Sequence, residues 1–264
     1  MKIAQHIAFH YVEARIKYLK QVLEASSQYD DDVDVFIHTN NVMNVIKNLD
    51  SYPNLNIEII KYKESYNHPH YLTWQPRLLM KEQINLDYYD TYMYVEDDIL
   101  VTNNVIQYWK KYFHSFMTQK INLGFIRIEK DTQGDYCWTD TSVGSLCDLK
   151  IESDMLSVGR NQYCAFWIHD KKLTKKMLEV VSEQHWDKHS IREAAARGAN
   201  ALFPQEIAEK IFNKTCIPLE NGNIPESCKV YHLPNNFADH PVFLAIKVND
   251  ILKRAISNTT PTLH

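Results

Sequence analysis

The sequence predicts an α/β fold built on a mostly parallel central sheet flanked by helices. Four β-forming segments in the first hundred residues alternate with stretches whose apolar residues recur at helical spacing. The chain has 264 residues, enough for a substantial core. Three consecutive acids, Glu96, Asp97 and Asp98, close the fourth of those segments, and ligands of parallel sheets bind beyond the carboxyl ends of the strands.

Taken in order, residues 3–9 are predicted as the first strand. A helix over 12–25 follows, with Val12, Ile16, Leu19, Val22 and Leu23 at helical spacing. Residues 33–38 and 55–62 are the second and third strands, separated by a short helix over 42–49. Thr73 is predicted to cap a helix through Ile84. Pro76 is tolerated in its first turn, where a missing N–H costs nothing. Residues 92–95 form the fourth strand, and the β-α-β order implies parallel neighbours joined by right-handed crossovers.

The second half is less regular. A helix is predicted over 105–117, a strand over 122–128, a polar loop or hairpin over 129–155 and a strand over 163–169. Asp170 is placed to cap a helix over 171–181, and a short helix over 191–197 ends at Gly198. A strand over 229–232 and a helix over 241–256 complete the chain. No linker rich in Gly, Pro or Ser divides it, so a single domain over 1–264 is expected.

Composition narrows the function. The net charge is -4, from 29 basic and 33 acidic residues, which argues against a general nucleic-acid binder. Six glycines are few, and neither a GxGxxG nor a GKS/T phosphate loop occurs. Five cysteines in no zinc-like spacing read as free thiols of a reducing compartment. The N-terminus carries no apolar h-region and no run of 18 apolar residues occurs, so no transmembrane segment and a cytoplasmic location, peripheral to a membrane at most, are expected.

Three adjacent carboxylates at a strand end repel one another and are costly to desolvate unless a cation or water meets them. A hard divalent ion with oxygen ligands would meet them while keeping positions for substrate phosphates. The competing reading is a solvated acidic turn, which the apolar, β-forming flanks disfavour.

The segment Tyr92-Met93-Tyr94-Val95-Glu96-Asp97-Asp98-Ile99, about a hundred residues into an alternating α/β chain, resembles the DxD-type motif of GT-A glycosyltransferases. Glu96 stands where the usual motif has its first Asp. The resemblance implies a GT-A-like single domain with a nucleotide-sugar-binding half (1–101) and an acceptor-binding half (102–264) carrying a smaller sheet and the C-terminal helix. It implies transfer of a sugar from a nucleotide-sugar donor, UDP- or GDP-linked, to a hydroxyl of a carbohydrate or glycoconjugate acceptor. It also implies Mn²⁺ or Mg²⁺, held by Asp98 as the motif's last acid, with His232 as the late histidine that such enzymes bring to the metal or diphosphate. A neutral imidazole suits Mn²⁺ beside carboxylates; a satisfied strand-end histidine before a Pro-Asn-Asn turn is the alternative.

The donor pocket is expected to use Glu96 and Asp97, the strand ends His10-Tyr11 and Thr39-Asn40, and Trp74 with Arg77. A guanidinium near a helix N-terminus matches a diphosphate, although Arg77 also reads as a surface ion pair. Two histidines, His68 and His70, share one side of an extended chain but lack a third zinc ligand. The acceptor is expected against Trp138, Tyr163 and Trp167. Glu193 is the first candidate for the base, by analogy with a late-helix carboxylate of inverting GT-A enzymes. Ser190-x-x-Glu193 is equally a capping box, and Asp154 and Asp140 stand in reserve. A nucleotidyltransferase would want a Gly-rich basic loop after the first strand, which His10-Tyr11-Val12-Glu13-Ala14-Arg15 is not. A non-catalytic nucleotide- or sugar-binding module would bind but not turn over, and a two-metal phosphohydrolase would want more His and Asp ligands.

Overall fold

A computed structural model describes residues 1–62, 69–141, 146–158, 164–180, 211–240 and 244–259. The architecture is mixed α/β, with a parallel-rich sheet flanked by helices and two further sheets. The chain divides into two compact units, Met1–Asn103 with Ala165–Ile207, and Asn104–Cys164 with Ala208–His264.

The first unit is built on β1 (Lys2–Phe9), β2 (Asp32–Thr39), β3 (Asn56–Lys61) and β4 (Thr91–Glu96), with β5 (Ile99–Leu100) a short strand beyond the acids. β11 (Phe166–Asp170) joins the same sheet, in the order β11-β4-β1-β2-β3. β1 to β4 are parallel as the sequence predicts, while β11 runs antiparallel to β4. Ile3 to Phe9 are all buried, as expected for a strand covered on both faces. The register puts Ile3, Ile7, Val35, Ile37, Met93 and Val95 on one face, and His6, His38, Tyr92, Tyr94, Trp167 and His169 on the other. One side of the sheet is thus an aliphatic core and the opposite side an aromatic and histidine-rich layer.

Helix α1 (Ile16–Ser26) turns Leu19, Val22 and Leu23 inward as predicted but starts four residues late: Val12 is extended and exposed, and a 3₁₀ turn over Glu13–Arg15 precedes the helix. Asn41 caps α2 (Val42–Asn48) by accepting from Asn44 N at 3.2 Å. Helix α3 (Pro76–Leu86) starts later than predicted. Thr73 does not cap it but lies in a 3₁₀ turn over Pro69–Trp74, and Pro76, whose fixed φ suits the first helical position, sets the start. Asp170 does cap α5 (Lys171–Val180), accepting from Leu173 N at 2.7 Å.

In the second unit, α4 (Asn103–Thr118, its first residue belonging to the other unit) buries Val105, Tyr108, Trp109 and Phe113. The strand predicted over 122–128 is two strands, β6 (Ile121–Leu123) and β7 (Ile126–Lys130), which enter different sheets. The break falls at Gly124, whose N–H reaches Cys216 O at 2.8 Å; a Cβ there would lie 3.0 Å from Ile217 Cγ1. Only glycine allows so close an approach.

The expected polar loop contains β8 (Tyr136–Thr141), β9 (Leu149–Glu152) and β10 (Met155–Val158). β9 and β10 form a hairpin turned by Ser153 and Asp154, both at positive φ (47° and 61°), the geometry of a two-residue hairpin loop. One sheet runs β6-β12-β10-β9, with β12 at Lys214–Pro218. The other includes β14-β8-β7-β13, with β13 at Lys229–His232 and β14 at Leu244–Lys247. The predicted helix over 241–256 is therefore β14 followed by α6 (Val248–Thr259), because pairing of Leu244–Lys247 with β8 overrides the local helical pattern.

Candidate functional site

The acids lie at the carboxyl end of a central parallel strand. Asp97 N donates to Ala8 O at 3.3 Å, extending the contact between β1 and β4 one residue past Glu96, where the chain turns. Asp97 and Asp98 are both buried, 4% exposed each, so the solvated acidic turn is excluded. Arg15, from the 3₁₀ turn before α1, answers them. Its Nε and Nη2 donate to Asp97 Oδ2 and Oδ1 at 2.9 and 2.8 Å, and Nη2 also donates to Asp98 Oδ2 at 2.9 Å. The guanidinium, whose side chain is 36% exposed, pairs with both buried carboxylates. Burial raises the Asp97 pKa, Arg15 opposes the rise and Asp98 adds to it, leaving the group at about 7.

The strand ends expected to contact a donor are tied together beside this turn. Tyr11 N donates to Asn40 Oδ1 at 2.7 Å, joining the loops after β1 and β2, and the Thr39 hydroxyl donates to the same oxygen at 3.4 Å. His10 and Tyr11 are half-buried, with the Tyr11 ring edge-on to Phe9 at 5.9 Å. Arg77 is in the first turn of α3 as expected, but it is buried and not a surface ion pair. Its guanidinium carbon lies 4.5 Å from the Trp74 ring centre, a cation–π contact. Burial lowers its pKa to about 10, with Tyr94 opposing, and it stays charged at neutral pH.

The histidine-rich face forms a second buried layer of this unit. His6 Nε2 faces Gln83 Oε1 and His6 Nδ1 faces His38 Nε2, each at 3.0 Å. Trp167 stacks on Tyr94 (6.1 Å) and tilts over His169 (5.1 Å). Burial lowers His38 and His169 to about 3, and burial with the His38 neighbour lowers His6 well below its ordinary value.

In the second unit, His232 ends β13 and its Nδ1 lies 2.5 Å from Glu129 Oε1 on β7. Burial would raise the Glu129 pKa, but His232 and the backbone N–H groups of Phe237 and Ala238 outweigh it and hold the carboxyl below its usual range. Asp154 is at the exposed tip of the β9–β10 hairpin and Asp140 is in β8. Trp138 and Trp167 are both buried, 2% and 5% exposed, so their faces pack against protein and do not stand open to a sugar. Glu193, Tyr163 and His68 lie outside the described residues, as does the His70 side chain.

Among the described residues no three His, Cys, Asp or Glu side chains form a metal cage. The residues at the β4 edge nonetheless fit a hard divalent ion, which needs only one or two carboxylates when waters and phosphates complete its shell. Arg15 bonds both oxygens of Asp97 and Oδ2 of Asp98. Two partners of the candidate site residues escape the sequence reading. Arg15 was visible as a basic residue just past the first strand; Glu129 gave no local signal. Among the described residues no helix is long and apolar enough to cross a membrane, and four of the five free cysteines are buried, Cys147 being exposed.

No protein-family model and no curated protein sequence matches the chain. Among solved structures it is similar to residues 1–349 of S. aureus TarS, a glycosyltransferase, over 88% of this chain at 11% identity and a TM-score of 0.46. This chain spans 60% of the length of that one. At that score the likeness says nothing of activity.

Proposed function

We propose that the chain transfers a sugar from a nucleotide-sugar donor to a hydroxyl acceptor with the help of Mn²⁺ or Mg²⁺. The observation that supports this most is the burial of two adjacent carboxylates, Asp97 and Asp98, at the carboxyl edge of the parallel sheet, where ligands of such sheets bind. Adjacent buried carboxylates at a ligand edge favour a cation. Asp98, the last acid of the motif, is the carboxylate that would hold it. When bound, such an ion offsets charge on the leaving diphosphate.

The protein's own groups do the rest. Asp97 fixes Arg15, whose charge stays beside the acids. The joined loops at Tyr11 and Asn40 are proposed to receive the base and ribose, and Arg77 to favour the diphosphate. The acceptor oxygen bonds to the anomeric carbon as the bond from that carbon to the diphosphate breaks, and the acceptor proton passes to a carboxylate, for which Glu193 is the proposed base. Glu193→Gln should lower kcat by about two to four orders of magnitude with donor affinity unchanged. Near-normal turnover would move the role to Asp154 or Asp140.

A thermal-shift screen of UDP- and GDP-sugars with and without Mn²⁺ tests the reading as a whole, since a ligand of the folded state raises its stability by mass action. Stabilisation by a nucleotide sugar that requires Mn²⁺ is expected, and no response to any donor in Mn²⁺ would contradict it.

A further inference from the structure

The amino edge of the first unit's sheet, opposite the acids, carries its charges in order. Asp170, Thr91, Ile3 and Val33 lie in one line across β11, β4, β1 and β2, so the edge passes these four strands over about 14 Å. At the β11 end, α5 buries Leu173, Met177 and Leu178 and exposes Lys172, Lys175 and Lys176. At the β2 end, Asp30 and Asp32 are exposed. Between the two ends, the turn from α3 into β4 presents Leu86 and Tyr88, 76% and 59% exposed. This turn is held on both sides. Lys171 Nζ pairs with Asp87, Lys171 N donates to Asp90 O at 2.9 Å, and Lys2 N donates to Asp90 Oδ2 at 2.8 Å. Lys2 Nζ, from β1, meets the Tyr88 hydroxyl at 2.5 Å, so Tyr88 stands between β4 and β1, midway along the edge. The other charges here are met within the unit, Asp31 by the N-terminus and Asp34 by Lys2.

We propose that this edge is the self-complementary face of a two-fold dimer, in which a second copy of the chain covers Leu86 and Tyr88. A two-fold axis along the sheet normal, through the middle of the edge, lays the lysine end of each copy on the aspartate end of the other. It also brings the Leu86 and Tyr88 turn of one copy onto that of its mate. In an isologous contact the same patch serves both copies, so opposite charges at the two ends of one edge satisfy both partners. Charges of both signs on the edge disfavour a partner of a single sign, such as an anionic lipid surface. The two large exposed side chains at the axis gain burial from the same contact. The carboxyl edge, where ligands of the sheet bind, points away from it and stays open in both copies.

Sedimentation equilibrium of the full chain tests this. The wild type should approach twice its 31.1 kDa mass as concentration rises, and less readily at high salt, which screens exposed charge pairs. Leu86→Asp should weaken the dimer about tenfold or more. Lys172→Asp with Lys175→Asp turns the basic end acidic, and Asp30→Lys with Asp32→Lys turns the acidic end basic. Each double variant should be monomeric alone, because like charges then meet, and an equal mixture of the two should recover the dimer. Leu86→Asp decides if a charge variant does not fold. A wild type that is monomeric at every concentration overturns the proposal. So does a dimer that survives any one of these variants, or a mixture of the two folded charge variants that stays monomeric. Capture of a monomeric wild type by anionic vesicles would assign the edge to a lipid surface and overturn it as well.

Discussion

The two buried acid sites of this protein are balanced in opposite ways. In the first unit Asp97 and Asp98 both pair with the partly exposed Arg15 guanidinium, and Asp97 is pushed up to about 7 despite a bidentate contact with it. In the second, Glu129 alone is met by an imidazole and two backbone N–H groups, and its pKa falls although burial acts to raise it. Burial is the largest influence on both; at Asp97 it prevails, with Asp98 adding to it, whereas at Glu129 the donors outweigh it.

The largest expected effect on stability belongs to the satisfied site. Glu129→Ala leaves buried donors without an acceptor and should cost about 3 kcal/mol or more in urea unfolding. A loss below about 1 kcal/mol would show that Glu129 is no support. Arg15→Ala should cost less, on the order of 1–2 kcal/mol, because the guanidinium is partly exposed. With the acids unopposed, added Mn²⁺ should stabilise this variant more than the wild type. A smaller Mn²⁺-induced shift in melting temperature would contradict a proposed Mn²⁺ site at the β4 edge.

The smallest effect separates burial from partnership. His6, His38 and His169 have folded pKa values below the ordinary 6.5, so the unfolded chain binds more protons as pH falls below 6.5. Their stabilisation is present above pH 6.5 and is lost as pH falls towards 3. For His169 burial is the one cause, and His169→Phe should make the acid loss of stability shallower by up to about 1.4 kcal/mol per pH unit while changing little at pH 7. An unchanged slope would mean that His169 is not buried neutral.

The first unit was legible because its signals are local. Period-two and period-3.6 patterns fixed β1 to β4 and α1 to within a few residues, and topology put the acids at the ligand edge. The second unit was not, because its strands are short and owe their identity to distant partners. Leu244–Lys247 is a strand only because β8 lies beside it, and Gly124 breaks a strand only because β12 approaches. The same limit hid the site's supports. Asp98 and His232 stand out by position, but nothing near Glu129 announces a contact 103 residues away, and Arg15 looks like an ordinary helix-end cation until the acids fold against it.

Asp98→Ala tests the central claim most directly, through calorimetric titration of a UDP- or GDP-sugar that binds the wild type in Mn²⁺. The variant should fold with near wild-type stability, since losing one of two neighbouring carboxylates relieves repulsion, and should lose the Mn²⁺-dependent part of donor affinity. Unchanged affinity in Mn²⁺ would contradict the assignment of the β4 edge as the metal and donor site.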